Sequence, residues 1–331
     1  MIAQGGIREM SAVNDDYLVT KVACMYYEEE MTQQEIADVI GVSRIQIVRM
    51  LQKARDKGIV RITIDSKFRE NVDLGRQLQE ALNLQEAFVV NAPIHPENLF
   101  DAIGSAASDY LVARLRPNMI LGVSAGRTLR AMVNNLPRRE TEGLRVCNIV
   151  GGISSLGDQS AQELAYQLCE RLGGRPMMLN VPFHVSTKHI KETLLEDERI
   201  AATIKAARCA DLILISVGDL RNPMLTKVYR REEVYPRDVC ERLLDYKVVG
   251  EMIGCFYDIR GEQMLPELSD HILGFSIQTL KSMPSVIAVA GGSEKVLPII
   301  GAARGGYIDG LITDDATAEQ VLDTARDIAD T

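Results

Sequence analysis

Two groups of residues in this sequence have types and spacings that could do chemistry, and they lie far apart along the chain. The first is basic. Residues 43–67 hold seven lysines and arginines and two aspartates, a local charge of +5 in a chain whose formal net charge is −9, which leaves −14 for the remainder. Arg44, Gln46 and Arg49 sit close together there, and each can donate hydrogen bonds to base edges or phosphates. The second group is mixed in character. It comprises Ser124, Gly126, Arg127 and Thr128 in "GVSAGRT", Gly151 and Gly152 in "VGGISS", Glu251 and Asp258 in "GEMIGCFYDIRGE", and Lys295 in "AGGSEK". Small residues let a backbone approach a ligand. Hydroxyls, a guanidinium and the free N–H groups of a helix start suit an anion. Carboxylates accept hydrogen bonds from sugar hydroxyls, and Lys295 could reach a phosphate or a hydroxyl.

The elements that must position the basic group are short. The stretch 17–29 reads as a helix, and "MTQQEIADVIG" reads as a second one, opened by a Thr32–Glu35 capping box and closed by Gly41. Ser43 and Gln46 form another capping box that opens a third helix, so the pattern is a helix-turn-helix. Ile47, Met50, Leu51 and Ala54 recur at i, i+3, i+4 and i+7 as a core stripe. Arg44, Ile45, Gln46, Val48, Arg49, Gln52 and Lys53 fall largely on the other side. A helix so arranged presents its N-terminal side chains to the major groove. The expected DNA contacts are Thr32, Gln33, Ser43, Arg44, Gln46, Arg49 and Lys53, with Arg61 on a short β-wing formed by "IVRITID". One such domain reads about half of a typical operator, so a dimer or tetramer is expected. The alternative is a plain helical hairpin with a solvated basic face.

The mixed group needs a different scaffold. From residue 86 onward, apolar runs ("EAFVV", "MILGVS", "RVCNIV", "DLILISVG", "SVIAVAGG", "DGLITDD") alternate with helical patterns at 99–114, 127–135, 161–172, 294–303 and 316–328. That alternation predicts an α/β fold, a mostly parallel, doubly wound sheet with helices on both faces. Ligands in such folds sit at the carboxyl ends of strands, where the glycine-containing loops fall. The domains are therefore read as a disordered leader (1–15), a winged helix-turn-helix domain (16–66), a linker helix (67–85) and an effector-binding and oligomerisation domain (86–331). The linker helix could join the domains or carry part of an oligomer contact.

Each candidate has a plainer reading. Glycine after a strand is common in α/β proteins, and Glu251 and Asp258 could pair with an arginine or cap a turn. The four histidines have no metal-ligand spacing, and the six cysteines show no CxxC pair or disulfide framework. No metal and no cofactor is expected. The amino-terminal stretch lacks the apolar core of a signal peptide, and no run approaches a membrane span, so a cytoplasmic protein with no membrane partner is expected. An enzyme is the rival reading, since Glu251, Asp258 and Lys295 could do acid–base work. No nucleophile–histidine–carboxylate grouping and no GxxxxGK[ST] loop supports it, and no catalytic residue is assigned. A structural DNA-binding protein with a degenerate pocket is a third reading.

The segments "GVSAGRTLRAM", "VGGISS", "ISVGDL", "GEMIGCFYDIRGE" and "VIAVAGGSEKVLPIIGAARGGYIDGLITDDATAEQVL" together resemble the SorC family of bacterial transcriptional regulators, over nearly the whole chain (17–322). The resemblance implies an N-terminal helix-turn-helix domain joined to a sugar-binding domain related to sugar-phosphate isomerases. It implies an effector that is a phosphorylated sugar or a polyol, a pocket including Gly126, Arg127, Thr128, the Gly151–Gly152 loop, Glu251 and Lys295, and a frequently tetrameric assembly on operator DNA. The implied function is control of a sugar or polyol catabolic operon. Ala125 departs from the aromatic residue or second glycine found in many relatives, which bears on the shape of sugar accepted. No lysine lies in "RVCNIVGG" to form an imine, so noncovalent binding is expected.

Overall fold

The computed structural model describes residues 3–62, 66, 68–153, 157, 160–219 and 247–329, with side chains from residue 15 to 328 of these. It divides into two compact units, Met1–Lys67 and Phe68–Thr331.

The first unit is three helices: α1 (Ala3–Tyr27), α2 (Gln33–Ile40) and α3 (Arg44–Asp56). The first begins at Ala3, so the leader expected to be disordered is helical here. No proline interrupts that stretch, although Gly5 and Gly6 lie within it. Both capping boxes form. The Thr32 side chain accepts from the Glu35 N–H and the Ser43 side chain from the Gln46 N–H, while the Glu35 and Gln46 side chains reach back to the cap backbones. Gly41 between them takes a left-handed φ of 76°, a conformation glycine adopts at little cost. The expected stripe of α3 is the core: Ile47, Leu51 and Ala54 are buried and Met50 packs against them. They meet Val22 and Met25 of α1 and Ile36 and Ala37 of α2. No strand forms over the described residues 57–62, and the remainder of the expected wing (63–65) lies outside the described residues.

The second unit opens with α4 (Arg69–Leu82) and β1 (Glu86–Val90). There follow α5 (Leu99–Arg114), β2 (Ile120–Val123), α6 (Arg127–Asn135), β3 (Arg145–Asn148), α7 (Ala161–Leu172) and β4 (Arg175–Met177). Next come α8 (Lys188–Glu196), α9 (Glu198–Ala207) and β5 (Leu212–Ile215). A small antiparallel sheet, β6 (Val248–Met252), β7 (Cys255–Asp258) and β8 (Gln263–Met264), precedes α10 (Ile277–Lys281). The chain ends with β9 (Val286–Val289), α11 (Val296–Arg304), β10 (Gly310–Asp314) and α12 (Asp315–Ala329).

The main sheet has seven strands in the order β1-β10-β9-β5-β2-β3-β4, all parallel. Alternate residues feed opposite faces. Leu121, Val123, Leu212, Leu214, Ile287 and Val289 pack under α5, α6 and α7. Ile120, Ile213, Ile215, Val286 and Ala288 pack under α4, α11 and α12. Burial on both faces explains why these strands read as continuous apolar runs. The six expected strands are present. The three-residue β4 and the antiparallel sheet were not expected. Pro176 lies in β4, which is tolerable because that strand is an edge. The expected linker helix belongs to the second unit: Leu78 and Leu82 of α4 are buried with Val89 of β1 in its core, and the Asn71 side chain donates to the Val89 carbonyl.

Candidate functional site

In the first unit, Arg44, Ile45, Gln46, Val48 and Arg49 of α3 are exposed together, opposite the buried stripe. Some of the expected contacts are partly committed elsewhere. The Thr32 hydroxyl donates to the Glu35 carboxylate, which this contact holds below its usual carboxylate range. The Arg44 Nε donates to Gln33 Oε1 at 3.2 Å and ties the starts of α2 and α3 together. Gln46 spends its amide oxygen on the Ser43 N–H and hydroxyl, which leaves its amide NH2 to donate outward. Lys53 pairs with Asp15 and Lys57 with Asp16, so both ammonium groups are partly neutralised by α1. Arg61 is exposed. The cations with reach into a groove are therefore Arg44 and Arg49 before Lys53.

In the second unit the chain moves from β2 one way to β3 and β4, and the other way to β5, β9 and β10. The carboxyl ends of β2 and β5 border that reversal, where ligands enter doubly wound sheets. Hydroxyls knit the strand ends together there. The Ser216 N–H donates to Ser124 Oγ at 3.1 Å, and Thr128 Oγ1 donates to the Val289 carbonyl at 2.7 Å while lying 3.5 Å from Ser216 Oγ. Gly126 has φ 147°, and a Cβ on it would stand 2.1 Å from Ser216 Oγ, so this loop requires glycine on two counts. α6 starts at Arg127 with no side-chain cap at Gly126. The Arg127 guanidinium lies over the Phe100 ring at 4.3 Å, which holds it by a cation–π contact.

Lys295 ends a short 3-10 turn, Ser293–Lys295, after β9. Burial pushes its ammonium below its ordinary value, against the pull of Glu294, Asp219 and Glu251, while Arg127 adds to the depression. The charges of Glu294, Asp219, Arg127 and Glu251 all act on Lys295, so these side chains neighbour it at the strand ends, the candidate crevice. The loop carrying Lys295 is pinned from β10. The Gly292 N–H donates to Thr317 Oγ1, and Thr317 donates through its hydroxyl to Asp314 Oδ2 at 2.6 Å.

Glu251 arrives from the antiparallel sheet. Its backbone exchanges two hydrogen bonds with Gly218, after β5, and its side chain is 8% exposed. Oε1 accepts from the Gly254 N–H at 2.6 Å, capping a two-residue turn in which Ile253 and Gly254 both have positive φ, at 50° and 80°. A β-branched residue in that region is strained, and the Glu251 carboxylate helps hold it there.

Two expected site positions have local structural roles. Asp258 Oδ1 accepts from the Arg260 and Glu262 N–H groups and closes that turn, so it caps a loop and is not brought to the crevice. The Gly151–Gly152 pair is explained by chain packing. A Cβ on Gly151 would stand 2.3 Å from the Pro182 carbonyl, and the two N–H groups are spent on Leu273 and Val181. Ser154 and Ser155 lie outside the described residues. Conversely, sequence reasoning missed Ser216 and Asp219 on the loop after β5, which meet Ser124 and Thr128 and act on Lys295 respectively, and Phe100. The available signal was a strand followed by "SVGD", a hydroxyl and a carboxylate at a strand end without a glycine pair.

Among the described residues no group of histidine, cysteine and carboxylate side chains could hold a metal ion, and no helix is long and apolar enough to cross a membrane.

Comparison with known proteins adds to this geometry. The family model described as "Putative sugar-binding domain" matches residues 66–323. The sorbitol operon regulator of Klebsiella pneumoniae is 29% identical over 317 residues, covering 95% of this chain and all of the relative. The deoxyribonucleoside regulator of Bacillus subtilis is 30% identical, covering 92% of this chain and 97% of the relative. The crystal structure of the full-length sorbitol operon regulator SorC from Klebsiella pneumoniae superposes with a TM-score of 0.71, covering 93% of this chain and 99% of that one.

Proposed function

The chain belongs to the SorC family of sugar-binding transcriptional regulators, a family of regulators and not of enzymes, and from that membership we propose that it controls a sugar or polyol catabolic operon through a phosphorylated sugar or polyol effector. The first unit binds operator DNA through α3, in an assembly of two or four chains. The effector lies at the carboxyl ends of β2, β5 and β9. Its phosphate is held by the uncapped start of α6, Arg127 and Lys295, and its hydroxyls by Glu251 and Asp219. The observation that carries this reading is the half-buried Lys295, whose charge is coupled to that of Arg127, together with a helix start that has no side-chain cap. Two cations crowded against free N–H groups are stabilised by a shared anion. The carboxylates opposite them suit hydroxyl recognition. One relative is named for a sorbitol operon, so polyols belong beside sugar phosphates among the candidates.

The test is a panel of pentose and hexose phosphates, polyols and their phosphates, read both as a shift in melting temperature and as release from DNA. A ligand that binds only the folded state raises the melting temperature. Arg49→Ala weakens DNA binding tenfold or more, as expected for loss of a charge-assisted contact, and leaves the effector shift intact. Lys295→Ala diminishes the shift and leaves DNA binding intact. Equal damage to both activities by each variant, or no shift with any panel member, overturns the reading.

A further inference from the structure

The arginines do not account for the whole exposed face of α3. Ile45 is 66% exposed and Val48 43%. Residues three apart on a helix are surface neighbours, so the two side chains form one apolar patch. Arg44 lies four residues before Val48 and Arg49 four after Ile45, so a guanidinium brackets the patch at each end. Single exposed apolar side chains are ordinary. A contiguous pair on the most positively charged segment of an acidic chain is not accounted for in that way.

The composition of the patch selects its occupant. Two guanidiniums flank this apolar centre and the segment that holds them is net +5, so its charge calls for a negatively charged partner. A partner carrying regular negative charge, with an apolar point set between the charges, matches better. Duplex DNA has that pattern. Its phosphates line both rims of the major groove, and of the four bases only thymine presents a methyl group on the groove floor. An α-helix entering the groove brings exposed residues of its first two turns to base edges, which is where Ile45 and Val48 stand.

We propose that Ile45 and Val48 read thymine methyl groups in the major groove, and so set the sequence preference of α3 together with Arg44 and Arg49. The proposal rests on the DNA-binding reading given above. Arginines and the Gln46 amide supply donors for purine edges or phosphates. The apolar pair supplies discrimination between thymine and the other bases, at positions where no donor or acceptor is offered.

The experiment separates the two readings. The full-length protein selects a duplex from a random-sequence pool, and each thymine is then replaced singly by uracil, which keeps the base pair and removes only the 5-methyl group. One or more positions in each half-site are expected to lose about fourfold in affinity, the effect of one methyl group returned to water. Ile45→Ala or Val48→Ala is expected to bind the thymine and uracil forms of that position alike, with an unchanged melting temperature because both side chains are exposed. Uracil tolerated everywhere at full affinity, while Arg49→Ala still loses binding, overturns the proposal and leaves DNA binding standing. Uracil sensitivity that persists in both variants overturns the assignment to these residues. A pool from which the wild-type chain retains no duplex overturns both.

Discussion

Lys295 is the residue at which charge and burial meet, at the position proposed to hold the effector's phosphate. Burial lowers its pKa, so in the free protein the ammonium is penalised relative to the unfolded chain. That penalty is fully present below the folded pKa. It is relieved as pH rises from there to the ordinary lysine range, because over this window the unfolded state binds more protons. The free protein therefore gains stability from this residue as pH rises through the window. A bound phosphate reverses the preference by favouring the ammonium, so the stabilisation it adds falls over the same window. Melting temperatures measured with and without an effector, against pH, are expected to converge on the alkaline side. Lys295→Met removes the phosphate's dependence on that proton and flattens the difference between the two curves. Parallel curves for the wild type and Lys295→Met exclude Lys295 as the titrating contact. The Arg127 guanidinium, held over the Phe100 ring, is a second contact for the phosphate, so a residual shift persists at high pH.

At the scale of elements, the turn from α2 into α3 is held by two reciprocal caps and one left-handed glycine, with few side chains of its own. Ser43→Ala removes the acceptor for the Gln46 N–H and the hydroxyl that donates to Gln46 Oε1, while the backbone N–H of residue 43 still holds that oxygen, at a cost of about 1 kcal/mol. The expected outcome is a lower melting transition for the first unit and weaker DNA binding, with the effector shift unchanged. An unaltered transition would mean that helix packing alone fixes the turn. This turn was legible in the sequence because capping chemistry is local: Thr32 with Glu35 and Ser43 with Gln46 name their own partners three residues away. The central strands were legible for a related reason, since residues such as Leu212–Ile215 are apolar on both faces. Other features depend on contacts distant in sequence and were not legible. β4 is short and holds Pro176. The strands β6 to β8 were read only for their carboxylates, yet the hairpin between β6 and β7 is what sets Glu251 against Gly218. Gly151 looked like a ligand loop and instead makes room for Pro182. Asp219 lacked any local mark, and only the strand order, which sets β5 between β2 and β9, brings it to the crevice.

At the scale of the whole molecule, the positive charge is local: residues 43–67 carry +5, while the rest of the first unit and the second unit together carry −14. DNA affinity carried by that segment is expected to fall with salt in proportion to the phosphates contacted. Effector control asks for more than two working sites. A ligand that binds the DNA-competent and DNA-incompetent arrangements equally shifts nothing. Regulation therefore requires a coupling free energy, which in proteins is commonly about 1–3 kcal/mol, or 5- to 150-fold in affinity. Linkage makes that factor reciprocal: if the effector weakens DNA binding by a given factor, saturating duplex must weaken effector binding by the same factor. Two titrations of the full chain measure it, effector with and without duplex, and duplex with and without effector. Equal factors well above one are expected. Residues 68–331 alone, which hold the whole crevice, are expected to bind effector with the affinity of the DNA-free chain and to ignore duplex. A factor of one in both titrations would leave each site intact and locate regulation outside the affinity of this chain for its operator.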